Sequence, residues 1–420
     1  MAEIVVVGGG LSGLVAAKHL GRAGHTVTLF EQAETVGGRV RSAKEDGYTF
    51  DRGFQVLFTA YPAVKEELDL DTLSLQRFRP GATLVQSGER SILADPLRDP
   101  KALTATLFNR NVSMRDKLLV LKLRRQLSRK PLADILEHDN QTIETYLKDV
   151  GFSERFVSNF ATPFYGGITL DRSLSTSAFV FEYTFKMLLS GSIAVPTEGM
   201  GAIPAQLATQ ARNGGVTIKA GSPVSAITAC DTPRVEISGE THTPDAVIVA
   251  TDPGNAEQLL PEFTYDGSYR GCVTQYFSLP DTQQLRTGGR LLLNMESGYP
   301  NQVAPMSAVA PSYAPSRMQL LSATFLGNPT ETADELAAAV RSALESWYPE
   351  NNFDELSLLR TDRIPVAQVT QQPGFRDQRP AIDSPDGPVY LAGDYTEWSS
   401  IQGALESGRR AAMNVETAVQ

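Results

Sequence analysis

The ten residues IVVVGGGLSG, at positions 4–13, decide the fold of this chain. The first four are apolar and β-branched, which is typical of a strand buried on both faces of a parallel sheet. In the turn that follows, Gly8 permits the tight bend, Gly10 lets the backbone approach a pyrophosphate, and Gly13 lets the next helix pack on the strand. This stretch is typical of a nucleotide-binding turn between a strand and a helix.

The residues after this turn complete the pattern. A helix over about 11–20 directs free N–H groups and a positive dipole end towards phosphates, and residues 26–30 are typical of a second strand. Glu31 follows that strand eighteen residues after Gly13, where a carboxylate accepts hydrogen bonds from a ribose. Glu31 has no basic neighbour, which argues against a cofactor with a 2′-phosphate. The sequence therefore predicts a dinucleotide site.

Residues 37–42, GGRVRS, and 50–55, FDRGFQ, identify the dinucleotide through a resemblance. They resemble motifs of the GR2-type flavoprotein superfamily, which contains flavin amine oxidases, protoporphyrinogen oxidase and the carotenoid and squalene desaturases. In that family the arginine of the first motif lies near the cofactor phosphates, which implies this position for Arg39. The resemblance implies non-covalently bound FAD. Taken alone, Arg39 and Arg41 would also fit a solvated turn.

The resemblance continues in the middle and at the end of the chain. Val224 begins a segment similar to the strand that meets the adenine in relatives, and residues 245–251 resemble a buried strand of the cofactor sheet. Residues 389–412 resemble the closing motif, in which Asp394 or its neighbours would meet the pyrophosphate and ribityl region. A helix from about Gln402 would direct its positive end at the flavin, where the reduced ring carries negative charge.

These motifs predict one cofactor site built from both ends of the chain. The predicted cofactor-binding residues are Gly8, Gly10, Leu11, Ser12, Gly13, Glu31, Gln32, Gly38, Arg39, Gly53, Phe54, Gln55, Val56, Val224, Thr251, Gly393, Asp394, Ile401, Gln402 and Ala404. No catalytic side chain is assigned, because the flavin itself accepts the hydride and the protein supplies orientation and electrostatics. No metal site is expected, because none of the four histidines has a partner at a suggestive spacing.

The predicted fold class is α/β, with a GR2-type FAD-binding Rossmann-like domain and an inserted α+β substrate domain. The predicted segments are 1–60, 194–260 and 360–420 for the FAD-binding domain, and 61–193 and 261–359 for the substrate domain. The first insertion reads as mostly helical. The second mixes strands, at about 290–294 and 319–326, with a helix to which Thr332 and Glu335 would contribute a capping box.

Composition narrows the class of protein. The chain has 420 residues, 41% of them hydrophobic, and a net charge of −10, which gives nucleic-acid binding no electrostatic support. Its two cysteines, Cys230 and Cys272, have no metal-ligand or CxxC spacing, so a reducing, cytoplasmic location is expected. The first strand begins too early to leave room for a signal peptide, and no apolar run is long enough to span a bilayer. The oligomeric state stays open.

A basic segment at 115–130 contrasts with this acidic background. It carries seven Lys and Arg residues against the single acid Asp116, with five interleaved leucines, and would form an amphipathic helix. One interpretation is a helix that lies on a membrane surface and admits a lipid-soluble substrate. The other is a charged outer helix that packs through its leucines.

Eight aromatic residues between positions 156 and 185 also leave two interpretations open. They are Phe156, Phe160, Phe164, Tyr165, Phe179, Phe181, Tyr183 and Phe185. They could line a tunnel for a long apolar substrate, or they could pack a core, since aromatics are common interior residues.

The resemblance implies an FAD-dependent oxidoreductase that transfers hydride to flavin N5, by desaturation or isomerisation, from a small apolar substrate, with an isoprenoid or polyene expected. The nearest branch is the carotenoid-desaturase type, which residues 164–171, FYGGITLD, and 394–396 resemble. An amine or protoporphyrinogen-type oxidase is the first alternative. Ser400 and Ile401 stand where amine oxidases usually carry an aromatic residue, which weakens it. A flavoprotein that binds isoprenoids without catalysis is the second alternative.

Overall fold

The computed structural model describes residues 1–384 and 386–419. Its strands are β1 (Glu3–Val7), β2 (Thr26–Phe30), β3 (Ser42–Glu45), β4 (Tyr48–Asp51), β5 (Leu57–Phe58), β6 (Leu75–Arg77), β7 (Ala82–Gln86), β8 (Glu89–Leu93), β9 (Ile193–Pro196), β10 (Thr217–Lys219), β11 (Val224–Thr228), β12 (Arg234–Ile237), β13 (Glu240–His242), β14 (Ala246–Val249), β15 (Tyr269–Pro280), β16 (Leu291–Asn294), β17 (Gln302–Pro305), β18 (Met318–Leu326), β19 (Ser357–Val369) and β20 (Val389–Leu391).

The α-helices are α1 (Leu11–Arg22), α2 (Pro62–Glu67), α3 (Leu103–Phe108), α4 (Met114–Arg129), α5 (Leu132–Leu136), α6 (Ile143–Val150), α7 (Glu154–Phe156), α8 (Thr162–Thr169), α9 (Ala178–Ser190), α10 (Ala202–Asn213), α11 (Pro253–Leu259), α12 (Met306–Val309), α13 (Ala333–Trp347) and α14 (Ile401–Ala418). Seven consecutive helices, α3 to α9, lie between β8 and β9, and the other helices lie between strands or at the end of the described chain.

The first sheet is parallel and has the strand order β10-β2-β1-β14-β20. Its central strands are almost completely buried, as continuous β-branched sequence predicts for a sheet covered on both faces. Helices α1, α10 and α14 pack together beside it. This Rossmann-like core confirms the predicted α/β class, and it brings the carboxyl ends of β1, β2 and β14 to one edge.

The second sheet has seven strands, in the order β19-β15-β18-β17-β16-β7-β8, and is antiparallel except where β16 pairs with β7. Helix α13 packs near it, and the capping box of Thr332 and Glu335 is confirmed. The mostly helical interpretation of the first insertion misses β7 and β8. That hairpin adds to the edge of a sheet built largely from the second insertion, a pairing that local sequence does not encode.

Candidate active site

The turn after β1 takes its shape from close backbone packing. Gly8 has φ +105°, and a Cβ there would lie 2.5 Å from the Ala250 carbonyl oxygen. A Cβ at Gly13 would lie 2.0 Å from the Gly8 carbonyl oxygen, so Gly13 serves helix–strand contact and does not line the cavity. Gly10 differs, because a Cβ there meets nothing within 4 Å and would project into open space beside α1. The space beside Gly10 is wide enough for a phosphate group.

Glu31 is buried at the end of β2 and faces the same space. One carboxylate oxygen accepts a hydrogen bond from the Gly9 N–H at 2.7 Å, and the other accepts from the Ala33 N–H at 2.9 Å. The carboxylate therefore fixes the glycine turn and the loop after β2 relative to each other. Its contact with a ribose stays a prediction.

Arg39 and Asp394 join the two ends of the chain. The Arg39 guanidinium donates to both carboxylate oxygens of Asp394, at 3.1 and 2.5 Å, and to the Ala367 carbonyl at 3.0 Å. Ser399 Oγ donates to the same carboxylate at 2.6 Å. Burial is the largest single effect and lowers the pKa of Arg39, but the charge and hydrogen bonds of Asp394, together with the charges of Asp252 and Tyr395, outweigh burial and raise that pKa. The hydrogen bonds hold the two side chains in one orientation.

Helix α14 closes the other side of the site. Ser400 caps it by accepting a hydrogen bond from the Gly403 N–H at 2.8 Å, and Ser12 Oγ donates to the Ala404 carbonyl at 2.8 Å. Gln402 does not line the cavity. Its side chain accepts a hydrogen bond from the Ala63 N–H at 2.9 Å and so links α14 to the start of α2.

One cavity of about 1210 Å³ unites these elements. It is lined by eighteen of the predicted residues, Gly8, Gly10, Leu11, Ser12, Glu31, Gln32, Gly38, Arg39, Gly53, Phe54, Gln55, Val56, Val224, Thr251, Gly393, Asp394, Ile401 and Ala404. Segments that are almost four hundred residues apart in sequence therefore face one shared space. Their individual contacts with a cofactor stay predictions.

The same cavity continues into an apolar part among the helices and the second sheet. The aromatic run is divided between this cavity and the core. Phe156, Phe160, Phe164, Tyr165 and Phe185 line the cavity, whereas Phe179, Phe181 and Tyr183 are core residues outside it. Helix faces alone do not explain the division, because Phe181 and Phe185 stack on one face of α9 and only Phe185 lines the cavity. A tunnel for an apolar substrate stays a prediction.

Asp51 is buried two residues before Gly53, which lines the cavity. Its carboxylate accepts hydrogen bonds from Ser42 Oγ at 2.5 Å, the Met200 N–H at 2.8 Å and the Tyr313 hydroxyl at 2.9 Å. The Tyr276 hydroxyl donates to the Asp51 carbonyl at 2.7 Å. Burial raises the pKa of Asp51 to about 6, against the opposing effect of these hydrogen bonds. Asp51 thus ties the wall of the cavity to the second sheet.

Asp51 should make stability depend on pH. Because its pKa is higher in the fold than in the unfolded chain, its protonation stabilises the fold below pH 4, and that contribution is lost as pH rises through 6. About two pKa units correspond to about 3 kcal/mol. We expect the wild type to lose this much stability relative to Asp51→Asn when the pH rises from 4 to 7. A stability difference, measured by urea unfolding, that does not change with pH would contradict the raised pKa of Asp51.

The structure adds an aromatic pair that the motifs did not indicate. Tyr61 and Trp398 both line the cavity and meet edge to face, with ring centroids 6.0 Å apart and an interplanar angle of 82°. Trp398 lies shortly before α14, and its position in the closing motif is the one sequence feature that could have indicated it.

Two histidines also have carboxylate neighbours distant in sequence, since His19 contacts Glu67 at 2.9 Å and His138 contacts Glu182 at 3.0 Å.

The Rossmann-like sheet, the joined chain ends and the shared cavity are the features expected of a dinucleotide-binding protein. The family described as flavin-containing amine oxidoreductase matches residues 11–416, nearly the whole chain. The chain belongs to that family, which implies a flavin cofactor.

Individual relatives are more distant. The chain is 26% identical to carotenoid 3,4-desaturase of Haloarcula japonica over 299 residues, 64% of this chain and 60% of that protein. It is 50% identical to a 4,4′-diapophytoene desaturase of Staphylococcus haemolyticus over 66 residues, 15% of this chain and 13% of that protein. Both alignments span less than two thirds of the relative. The fold of an oxidoreductase from Methanosarcina mazei superposes with a TM-score of 0.75 at 18% identity, over 99% of this chain and all of the other.

Proposed function

We propose that the protein binds FAD non-covalently and uses it to remove hydride from a long apolar substrate, in a desaturation or isomerisation. The continuity of the cavity carries this proposal. One part of it has the residues expected to hold a dinucleotide, and the other is lined by phenylalanines and leucines. A flavin held between the two parts would meet the substrate within one enclosed space.

The residues present fit FAD. Gly10 leaves room for a pyrophosphate beside the N-terminus of α1, and Glu31 lies where a ribose would bind. Residues 393–404 contain no cysteine or histidine, which favours non-covalent binding at this part of the site. When bound, FAD would accept the hydride at its N5 atom.

The protein's own part is to orient and to exclude water. The Arg39–Asp394 pair fixes the polar wall, while the N-terminus of α14 presents the positive end of its dipole beside Ile401. Aromatic and aliphatic side chains exclude water from the substrate part, which strengthens these electrostatic effects.

The spectrum of the purified protein tests this function. We expect a yellow protein that releases FAD on denaturation, bleaches with dithionite and regains its colour with oxygen or a quinone. Anaerobic incubation with a panel of polyene hydrocarbons should bleach the flavin, whereas water-soluble alcohols should not. An isomerisation returns the hydride to the substrate and leaves the flavin oxidised, so the polyenes are also analysed for shifted or isomerised double bonds. A stably bound flavin that no polyene reduces, with no polyene isomerised, would contradict the proposed substrate class.

An amine substrate is the second candidate, and the Tyr61–Trp398 pair favours it. Two aromatic rings at a cavity wall can attract a cationic amine through cation–π interactions. Primary and secondary amines therefore belong in the same anaerobic panel. Rapid bleaching of the flavin by amines, with no bleaching by polyenes, would favour an amine substrate.

We further propose that the apolar part of the cavity opens towards a membrane surface. Seven of the eleven exposed large hydrophobic residues in the described chain fall between positions 97 and 121 and form what we term the hydrophobic patch. They are Leu97, Leu103, Leu107, Phe108, Met114, Leu118 and Leu121. Five of the seven also line the cavity. The exposed cations Lys101, Arg110 and Arg115 lie between them in sequence, and the exposed Lys122 and Arg125 follow directly after them. Apolar residues beside cations suit an anionic bilayer surface.

Helix α4 has a packed side and an exposed side, so both interpretations of the basic segment stay open. Leu123 and Leu127 are buried and pack the helix, which contacts α9, while Leu118 and Leu121 are 60% and 48% exposed. Among the described helices, none is both long and apolar enough to cross a bilayer.

Vesicle binding tests the patch. Leu118→Glu combined with Leu121→Glu should lower the bound fraction on anionic vesicles by at least about tenfold, since each leucine contributes about 1.5–3 kcal/mol when buried. Met413→Glu is the matched control, because Met413 is 59% exposed on α14, away from the patch in sequence. Equal binding by all three proteins in sedimentation assays would contradict membrane contact.

A further inference from the structure

A second, smaller cavity of about 210 Å³ lies at the β3–β4 hairpin and β19. It is lined by Arg41, Ser42, Ala43, Phe50, Arg52, Arg360, Asp362 and Arg363. Four guanidinium groups therefore surround a single carboxylate, in a chain whose net charge is −10. We term this space the arginine pocket.

Two of the four arginines are already engaged. Arg360 donates to Asp362 at 2.9 Å and to Glu45 at 2.8 Å, and Arg363 donates to the Pro329 carbonyl at 2.7 Å. Even with Glu45 included, the cations outnumber the carboxylates by two. The pocket thus carries an excess of positive charge.

Arg41 and Arg52 account for this excess. Both side chains are half-buried, and neither guanidinium has a hydrogen bond or an ion pair with any residue in 1–384 or 386–419. Burial, followed by the charge of Arg41, lowers the pKa of Arg52. Two like charges that repel each other and lack protein partners leave several N–H donors free in one place.

We propose that Arg41 and Arg52 bind a small oxyanion, a phosphate or a carboxylate group, in the arginine pocket. Planar guanidinium groups suit this chemistry because each can donate two parallel hydrogen bonds to an oxyanion. The pocket is too small for a nucleotide and suits a free anion or the anionic end of a larger molecule. Asp362 Oδ2 is buried and has no hydrogen-bond partner among the described residues, and its charge opposes binding, so the two arginines must outweigh it.

The pocket adjoins the main cavity, because Arg41 and Arg52 line both. Arg52 directly precedes Gly53, which is expected to lie along the flavin. If the proposed function is right, an anion at the arginines would cancel positive charge near the flavin and lower its midpoint potential. The coupling rests on the proposed function, whereas the binding does not.

Calorimetric titration of the FAD-loaded protein with inorganic phosphate, and separately with acetate, tests the pocket at constant chloride concentration. We expect saturable one-to-one binding, with the tighter of the two anions identifying the ligand class. Arg41→Gln combined with Arg52→Gln should weaken it at least about tenfold. The control, Arg212→Gln combined with Arg234→Gln, removes two exposed charges elsewhere and should bind as wild type does. Arg52→Lys keeps the charge and should weaken binding to an intermediate degree. This single variant tests the pocket even if the double variant folds poorly.

The outcomes distinguish the proposed anion binding from its proposed effect on the flavin midpoint potential. If neither anion gives saturable heat with the wild type, the pocket assignment is wrong. If the double variant loses FAD while the wild type binds no anion, the arginines hold the cofactor and the assignment is also wrong. Anion binding without a change in midpoint potential would retain the site and reject the coupling. Anion binding by a protein that never holds flavin would retain the site while the proposed function fails.

Discussion

Replacing Gly10 by valine should give a folded but colourless protein. Gly10 has φ −72° and ψ 180°, which valine adopts readily, and its missing side chain points into space free of protein atoms within 4 Å. The valine side chain would instead fill the volume proposed for the pyrophosphate. We expect flavin content, measured by the absorbance ratio at 450 and 280 nm, to fall by more than about 100-fold, because steric exclusion removes the cofactor altogether.

Gly13→Val provides the contrast. Its Cβ would collide with the Gly8 carbonyl oxygen, so this variant should fail to fold, while Gly10→Val retains the circular dichroism of the folded protein. A Gly10→Val protein with full flavin content would show that the pyrophosphate does not lie at this turn.

The second large effect concerns the contact between the chain ends. Arg39→Leu would leave the Asp394 carboxylate, whose side chain is 5% exposed, without its bidentate partner. Breaking a buried ion pair costs about 3–5 kcal/mol, and we expect about 3 kcal/mol because Arg39 is itself 34% exposed and water reaches it. The free energy of unfolding, measured in urea, should fall by this amount.

Two further variants test whether the loss of stability comes from the unpaired Asp394 carboxylate. Arg39→Leu combined with Asp394→Leu removes both charges and should cost less than Arg39→Leu alone, since no unpaired carboxylate remains. Lys44→Ala breaks an exposed pair with Glu198 and should change stability by less than about 1 kcal/mol. A double variant less stable than Arg39→Leu would contradict this account, because it would show that Asp394 stabilises the fold even without Arg39.

Much of the cofactor region could be predicted because its signals are local. The β-branched strand, the glycine turn and Glu31 lie within thirty residues, and each follows from backbone sterics. The observed β2 has the predicted bounds, and α14 begins one residue before the predicted start. Gly13 and Gln402 are the two predicted residues that do not line the cavity. Gly13 packs the helix on the strand, and the Gln402 side chain bonds to the start of α2, a packing that has no local signal.

The substrate side was harder to predict for a physical reason. Residues 82–93 form strands only because they pair with β16, about two hundred residues later in the chain. The aromatic run divides between cavity and core without following one helix face, since Phe181 and Phe185 are neighbours on α9 and only Phe185 lines the cavity. Long-range pairing and helix orientation depend on the whole fold, so a sequence pattern leaves both alternatives open.

The sequence by itself determined the fold class, the family and the dinucleotide turn, because glycine sterics and strand hydrophobicity act within a few residues. The tertiary structure alone decided how the chain ends join, where the apolar cavity opens and which arginines remain without partners. These properties depend on the positions that folding gives to distant residues, because burial and charge pairing act between neighbours in space.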